Sequence, residues 1–214
     1  MSPHRPASNT SSRHSPLCAG LAGGIGAGKS TVAQVFELFG IPVYYADLRA
    51  RALMQSDNHL IQRIRQLFGP QAYHPSGALN KDYLRNQIFN NPERKVQLER
   101  IVHPQVYRDF THWREQQQSP YVLLESAILC TSHGLEQVDT LIFVDAPRDL
   151  RLHRVVHNRN LPAKVVEAIM DSQQREEQLC RANADFLIRN DGRHSIIRRV
   201  CAIHRRLLTV TSTL

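Results

Sequence analysis

Cysteine is scarce in this chain, and long hydrophobic runs are absent. The four cysteines, Cys18, Cys130, Cys180 and Cys201, stand far apart with no pair at C-x-x-C spacing. The sequence therefore indicates neither a disulfide framework nor a structural metal site. No apolar window approaches the length of a membrane-spanning helix. We expect a reducing, cytoplasmic environment and no contact with a membrane.

The first sixteen residues lack acidic side chains and contain no apolar core. They are rich in serine, proline, histidine and arginine. This composition excludes the hydrophobic segment of a secretory signal and predicts a flexible tail over residues 1–16. The remaining residues, 17–214, are enough for one compact α/β domain with a lobe or insertion and too few for two large domains.

Acidic residues are outnumbered along the whole chain. Lysine and arginine total 27 against 19 aspartate and glutamate residues, which gives a formal net charge of +8. This excess favours anionic partners, and a nucleotide with a second phosphorylated substrate would suit as well as nucleic acid. Because no motif combines basic with aromatic residues, we expect no nucleic-acid partner.

Glycine is concentrated in one motif. Residues 23–30, Gly-Gly-Ile-Gly-Ala-Gly-Lys-Ser, fit G-x-x-x-x-G-K-[ST] at every defined position, follow an apolar run and lead into a helical pattern. Backbone N–H groups of such a loop converge on phosphate oxygens, and the helix directs its positive dipole end at them. The alternative is a glycine-rich turn that binds nothing. The residues expected to bind ATP here are Gly24, Ile25, Gly26, Ala27, Gly28, Lys29, Ser30 and Thr31.

Short apolar runs alternate with helical patterns along the chain. The runs at 17–22, 41–45, 121–124, 140–144 and 185–188 predict an α/β fold with a doubly wound, parallel, five-stranded sheet.

Two longer helical segments interrupt this alternation of apolar runs and helical patterns. The first, about 49–118, is broken at 69–70, 74–77, 91–92 and Pro104, and it predicts a helical lobe. The second, about 148–183, contains helices at 148–157 and 163–179 with a break between them, and it is a candidate lid.

Three carboxylates end predicted strands, where open α/β sheets bind ligands. Asp47 follows the second strand, where it could take the proton of an acceptor hydroxyl or orient it. It is also a favoured helix N-cap, and the two roles are compatible. Glu125 and Asp145 end the next two strands, and either could hold a metal through water. The pair His103-Pro104 is a functional histidine or a structural helix break, and the structural interpretation is favoured.

Several separate motifs, in order, resemble the dephospho-CoA kinase family. The resemblance covers about 17–208. The segments that carry it are 23–31, 40–43, Ala46-Asp47, Arg51, 77–79, His103-Pro104, 144–147, Arg154 with Arg159, Gln174, Arg181, 184–185 and 190–192.

This resemblance implies a P-loop kinase fold with a helical substrate lobe and a helical lid. It also implies transfer of the ATP γ-phosphoryl group to the ribose 3′-hydroxyl of dephospho-coenzyme A, which gives ADP and coenzyme A in the last step of coenzyme A synthesis. The expected partners are ATP, Mg²⁺ and dephospho-coenzyme A, and we expect a monomer or weak homo-oligomer.

The family pattern also assigns roles to single residues. Asp47 would be the catalytic carboxylate, Lys29 the γ-phosphate clamp and Ser30 the Mg²⁺ ligand. Arg159 would close over the phosphates from the lid. Arg51 and His103, with Asp47, would contact the acceptor, and Asn190 and Gly192 would lie near adenine.

The chain departs from the family pattern at three places. Tyr45 stands where the family has the first Asp of Asp-Ala-Asp, and Thr131 stands at the last position of a segment that is commonly Pro-Leu-Leu-Phe-Glu. One extra residue lies between Arg154 and Arg159, so either arginine remains a candidate for the lid role.

Other functions remain to be weighed against this one. A shikimate or nucleoside monophosphate kinase is the nearest alternative, although the triple-glycine acceptor loop of shikimate kinases is missing. A nucleotide-dependent switch or an RNA-binding ATPase is the alternative from another class. The guanine-reading Asn-Lys-x-Asp pattern fails at residues 80–83, because the aspartate comes one place early.

Overall fold

A computed structural model describes residues 15–89, 91–131 and 133–211. The tail predicted for residues 1–16 lies almost entirely outside these described residues. Within them, no helix is both long enough and apolar enough to cross a membrane.

Five parallel strands form the sheet. They are β1 (Leu17–Ala22), β2 (Val43–Tyr45), β3 (Tyr121–Glu125), β4 (Thr140–Asp145) and β5 (Phe186–Arg189), in the spatial order β2-β3-β1-β4-β5. Every neighbouring pair is parallel. The prediction of a doubly wound five-stranded parallel sheet is confirmed.

Eight α-helices are present in the described part of the chain. They are α1 (Lys29–Leu38), α2 (Ala46–Ser56), α3 (Asn58–Phe68), α4 (Lys81–Phe89), α5 (Pro92–Glu115), α6 (Arg148–Arg159), α7 (Ala163–Ala182) and α8 (Ile196–Thr211). Short 3₁₀ turns occupy Pro70–Ala72 and His133–Gln137.

Two hydrophobic layers cover the faces of the sheet. Side chains of β1 alternate between them, so that Cys18 belongs to one layer and Ala19 to the other. The first layer includes Phe110 of α5, and the second includes Phe36 of α1 and Ile203 of α8. Burial of β1 on both faces explains why its sequence is apolar throughout.

The position of β1 determines where a ligand can bind. It lies at the centre of the sheet with β3 on one side and β4 on the other. The chain builds the β2-β3 side first and then crosses to β4 and β5, so the carboxyl end of β1 is the topological switch point, where open α/β sheets bind ligands. The glycine motif at 23–30, called the phosphate loop below, begins there.

Helix α5 corrects one prediction. It continues through Pro104 without a break, although an interior proline removes a hydrogen bond and costs about 3 kcal/mol. Buried side chains lie on both sides of the proline, including Val102 and Val106, and their packing offsets that cost. The helix begins with Pro92 after the N-cap Asn91, as the predicted break at 91–92 requires.

The cysteines correct another prediction. Cys130, shortly after β3, and Cys180, near the end of α7, form a disulfide bond with their Cα atoms 5.5 Å apart. The expectation of no disulfide is wrong for this pair. Because 50 residues separate the two cysteines, their spacing gave no local signal. Cys18 and Cys201 are free thiols.

Candidate active site

The phosphate loop joins β1 to α1 through a backbone that needs glycine. Gly28 is the N-cap of α1 and has a φ of 96°, in the left-handed region. A Cβ atom at this position would lie only 2.1 Å from Nδ2 of Asn190. Glycine at position 28 therefore allows both the left-handed backbone conformation and the close approach of Asn190. No side chain caps the start of α1, which leaves its first N–H groups for a phosphate.

Lys29 and Glu125 meet beside the phosphate loop. The Lys29 Nζ atom donates a hydrogen bond to the carbonyl oxygen of Gly23 at 2.8 Å and lies 3.8 Å from Oε1 of Glu125. Glu125 ends β3 and is buried. Burial raises the pKa of its carboxyl group, Lys29 acts in the opposite direction, and Asp47 reinforces the rise. The end of β3 thus places a carboxylate next to the loop lysine.

Asp47 is exposed in the first turn of α2, directly after β2. The helix begins at Ala46 and its N-cap is Tyr45, so Asp47 does not have the N-cap role that was considered as the structural alternative. The structural reason is that the chain becomes helical as soon as β2 ends. The Asp47 side chain instead lines a cleft together with Lys29 and Ser30.

This first cleft has a volume of about 510 Å³. Most of the predicted ATP and catalytic residues line it, namely Gly24, Ile25, Gly26, Gly28, Lys29, Ser30, Thr31, Asp47, Arg159 and Asn190. Ala27 does not line it, because its side chain is buried in the second hydrophobic layer. Gly192 is exposed and lies outside the lining.

A second cleft, of about 760 Å³, adjoins the first. Ala127 and Gln173 line both clefts. His103 lines the second cleft, where burial lowers the pKa of its imidazole, while Glu99 and Asp47 act in the opposite direction. Arg51 is exposed and lines neither cleft. The structure therefore brings His103, but not Arg51, to the space beside Asp47.

Helices α6 and α7 hold the phosphate loop through its backbone. The N–H group of Ile25 donates to Oε1 of Gln173 at 2.9 Å, and the carbonyl oxygen of Ile25 accepts from Nε of Arg151 at 2.9 Å. The carbonyl oxygen of Ala27 accepts from Nδ2 of Asn190 at 2.8 Å. Side chains from α6, from α7 and from the residue after β5 thus fix the loop.

Sequence patterns did not single out Arg151, Gln173 or Glu177. Arg151 is buried, and it forms two hydrogen bonds of 2.7 Å with the carboxylate of Glu177. Gln173, rather than the exposed Gln174, contacts the loop. The sequence carries one signal for Arg151. It lies four residues before the buried Val155 and therefore shares the inner face of α6.

The two candidate lid arginines occupy different environments. Arg154 is half-buried and donates to the carbonyl oxygen of Gly26 at 3.5 Å and to Oδ1 of Asn190 at 3.2 Å. Arg159 is exposed at the last residue of α6. Both line the first cleft. Arg154 is engaged with the loop, whereas Arg159 lies at the rim.

The carboxylates that end β3 and β4 also differ. Asp145 forms an ion pair of 3.0 Å with Arg181, and neither Asp145 nor Glu125 lines the first cleft. Glu125 lies beside Lys29. Of the two alternatives considered for metal binding, Glu125 is the one near the phosphate loop.

Glu176 supplies a carboxylate near Thr131, where the chain departs from the family pattern. It is buried on α7, and its two oxygens accept hydrogen bonds from the backbone N–H groups of Cys130 and Thr131 at 2.6 and 2.7 Å. Glu176 and Thr131 both line the second cleft.

Several known proteins are similar to this chain over most of its length. A dephospho-CoA kinase of Porphyromonas gingivalis is 36% identical over 87% of this chain and 92% of its own length. One from Salinibacter ruber is 38% identical over 86% and 93%. A solved structure from Thermus thermophilus matches with a TM-score of 0.80 and 29% identity, covering 91% of this chain and 99% of that one.

A protein-family model also matches this chain. The model described as Dephospho-CoA kinase matches residues 17–195, which contain both clefts except for Ile196 at the edge of the first. The predicted P-loop kinase fold is confirmed, and the chain belongs to the dephospho-CoA kinase family.

Proposed function

We propose that this protein transfers the γ-phosphoryl group of ATP to the ribose 3′-hydroxyl of dephospho-coenzyme A. One observation carries the proposal: Asp47, Lys29 and Ser30 line a single cleft at the carboxyl end of the central strand. A hydroxyl acceptor in that cleft would meet a carboxylate on one side and the phosphate loop on the other. Family membership supplies the identity of the acceptor.

The proposed mechanism divides the work among a few side chains. Asp47 orients the acceptor hydroxyl and takes its proton, since an exposed carboxylate in the cleft can reach a substrate group. Lys29 leaves the Gly23 carbonyl oxygen to contact the γ-phosphate. Arg159 neutralises charge that spreads over the transferring group. Phosphoryl transfer depends mainly on such positioning and charge stabilisation.

The cleft has the donor atoms that Mg²⁺ prefers. The Ser30 hydroxyl and the Asp47 carboxylate line it, and oxygen ligands of this kind suit the ion. The Glu125 carboxyl group lies outside the lining but 3.8 Å from Lys29. We propose that Ser30 binds Mg²⁺ directly and that Glu125 holds it through water. When bound, Mg²⁺ neutralises charge on the phosphates.

We further propose that the second cleft receives the acceptor. His103 lies there on α5, and the helices of residues 49–118 form the substrate lobe around it. Asn190 lines the first cleft, Gly192 follows two residues further along the chain, and these would adjoin adenine. Residues 148–183 would act as the lid. We also propose that Arg51 contacts the acceptor, although it lines neither cleft.

The expected setting follows from the proposed reaction. We propose a cytoplasmic protein that acts as a monomer or weak homo-oligomer without nucleic acid. Its positive charge is then explained by two phosphorylated substrates.

An acceptor-dependence assay tests the function. ADP release should rise strongly when dephospho-coenzyme A is added to ATP and Mg²⁺, and it should not rise with shikimate, a nucleoside monophosphate or RNA. Product analysis should find phosphate on the 3′-hydroxyl. ADP release that ignores dephospho-coenzyme A but responds to another acceptor would refute the proposal.

A further inference from the structure

We propose that Cys130 and Cys180 form a reversible thiol–disulfide site that controls the movement of α7 against the segment after β3. That segment, residues 126–131, is called the β3 loop below. The effect on turnover and the reducing environment rest on the proposed function and setting, whereas the link between the disulfide and the movement of α7 does not.

The disulfide joins two parts of the protein that meet at the clefts. Cys130 lies in the β3 loop, and Cys180 lies in the last turn of α7. Ala127 of the β3 loop lines both clefts, and Thr131 lines the second. A covalent bond at this junction therefore fixes a wall of the acceptor cleft to one helix of the proposed lid.

A second, non-covalent contact joins the same two elements. Glu176 lies one helical turn before Cys180 on α7. Its carboxylate accepts hydrogen bonds from the backbone N–H groups of Cys130 and Thr131. Hydrogen bonds of this kind break and re-form when a helix moves, but a disulfide does not. With the disulfide reduced, Glu176 still positions the β3 loop while α7 regains freedom to shift.

The two sulfur atoms differ in accessibility. Cys130 is partly exposed, whereas Cys180 is 1% exposed. Exchange with a small molecule therefore begins at Cys130 and is completed by Cys180. The free cysteine Cys18 is fully buried, and burial raises the pKa of its thiol to about 12, so it cannot compete as a thiolate.

The exchange partner is a low-molecular-weight disulfide, RSSR. The Cys130 thiolate attacks one sulfur of RSSR, its S–S bond breaks, and RS⁻ leaves and is protonated. The Cys180 thiolate then attacks the Cys130 sulfur of the mixed disulfide, and the second RS⁻ leaves and is protonated. Two protein thiols are oxidised, one RSSR is reduced to two RSH, and the two thiol protons pass to the leaving groups.

The setting distinguishes this pair from a structural disulfide. In a reducing compartment disulfides are rare, and those that occur are usually transient catalytic or redox-sensing bonds. The pair joins two separate elements, the β3 loop and α7, rather than lying within one. Oxidation should therefore slow the conformational step of turnover, which limits kcat in many enzymes that close over their substrates.

Glutathione buffers of graded ratio test the proposal on the full chain. Differential alkylation with mass spectrometry would measure the oxidised fraction at Cys130 and Cys180, and kcat and KM would be measured on the same samples. We expect kcat to fall at least about threefold as the disulfide forms, to recover on reduction, and KM for ATP to change little.

Two variants identify the responsible cysteines. Cys130→Ser should show the kcat of the reduced wild-type protein at every glutathione ratio. Cys201→Ser removes a free cysteine on α8 and should respond as the wild type does. If Cys130→Ser folds poorly, Cys180→Ala tests the same bond from the other side.

Hydrogen exchange gives a readout without activity. Amides in α7 should exchange faster in the reduced protein, with no matching change in α1. The proposal is overturned if the disulfide opens and closes with constant kcat and constant exchange in α7. It is also overturned if dithiothreitol leaves the bond intact, or if the reduced protein binds stoichiometric zinc through Cys130, Glu176 and Cys180. Failure of the proposed function would instead abolish acceptor-dependent ADP release in both redox forms and leave the exchange result valid.

Discussion

The guanidinium of Arg151 and the carboxylate of Glu177 form two parallel hydrogen bonds of 2.7 Å that connect α6 to α7 directly against the phosphate loop. A Cβ atom at Gly24 would overlap Oε1 of Glu177 and Nη2 of Arg151, so a side chain at residue 24 would displace the ion pair from its present position. Arg151 also holds the carbonyl oxygen of Ile25. The ion pair thus positions the loop before any nucleotide binds.

Removing one partner of this ion pair should destabilise the protein. The side chains of Arg151 and Glu177 are 9% and 20% exposed, so Glu177→Ala leaves a largely buried guanidinium without its carboxylate. We expect the free energy of unfolding to fall by about 3 kcal/mol. The matched control is Asp171→Ala, which breaks the exposed Arg148–Asp171 pair between the same two helices and should cost less than about 1 kcal/mol. Urea unfolding measures both, and equal losses would contradict the supporting role.

Lys29→Ala should reduce kcat by about 10²-fold or more, because the lysine stabilises charge on the transferring group. The protein should still fold, although with a lower free energy of unfolding, because the change leaves the buried carboxyl group of Glu125 without its partner. Lys164→Ala, an exposed lysine on α7, is the control and should keep normal turnover. Steady-state kinetics with circular dichroism decide the result, and near wild-type kcat for Lys29→Ala would end the kinase assignment.

Asp47→Asn should lower kcat by about 10²-fold or more while ATP affinity stays nearly constant. The amide keeps the shape of the side chain but cannot accept the acceptor's proton. Asp82→Asn removes another exposed aspartate, far along the chain on α4, and should have no effect. Isothermal titration with ATP and measurement of kcat separate the two roles. A loss of ATP affinity with unchanged kcat would assign Asp47 to nucleotide binding instead.

The two arginines of α6 should respond differently to lysine. Arg159→Lys should depress kcat strongly with little change in KM, because lysine cannot form the two hydrogen bonds that an arginine offers to a phosphoryl group. Arg154→Lys should have a mild effect, since its contacts are with Gly26 and Asn190. The reverse pattern would move the lid role to Arg154.

His103 should make stability depend on acidity. Burial lowers the pKa of its imidazole below the usual 6.5, so the unfolded chain binds a proton more readily than the folded one. The contribution of His103 to the free energy of unfolding is therefore fully present above pH 6.5 and is lost as the pH falls through the lower folded-state pKa. His103→Gln should flatten the dependence of the urea midpoint on pH in this range. His59→Gln, at an exposed position, controls for loss of a histidine ring and should leave it unchanged.

Local patterns were sufficient to predict the strands and the phosphate loop. β1 matches its predicted bounds, because a continuous apolar run followed by glycine has few other solutions. Asp47 was placed correctly beside the loop, because the carboxyl ends of parallel strands share one edge. Its supposed capping role failed because helix boundaries depend on a few dihedral angles that patterns do not resolve.

The supporting contacts could not be predicted in the same way. Gln173 and Glu177 contact the loop because of the rotation of α7 about its axis, which tertiary packing sets. The bond between Cys130 and Cys180 depends on the strand order, which brings the end of α7 beside the β3 loop. At Pro104 the local signal was clear, but packing of α5 outweighed it.

The order of strands in the sheet also affects how the chain can fold during synthesis. β1 and β2 do not pair with each other, since β3 lies between them. Leu17 of β1 pairs with Tyr121 of β3, which is translated much later. A nascent chain that ends before residue 121 therefore contains two strands and no β-ladder. Its apolar β1 stays unpaired while about one hundred residues are translated, for several seconds at typical rates. We conclude that the ribosome must deliver more than half of the protein before the nucleotide-binding loop acquires its framework.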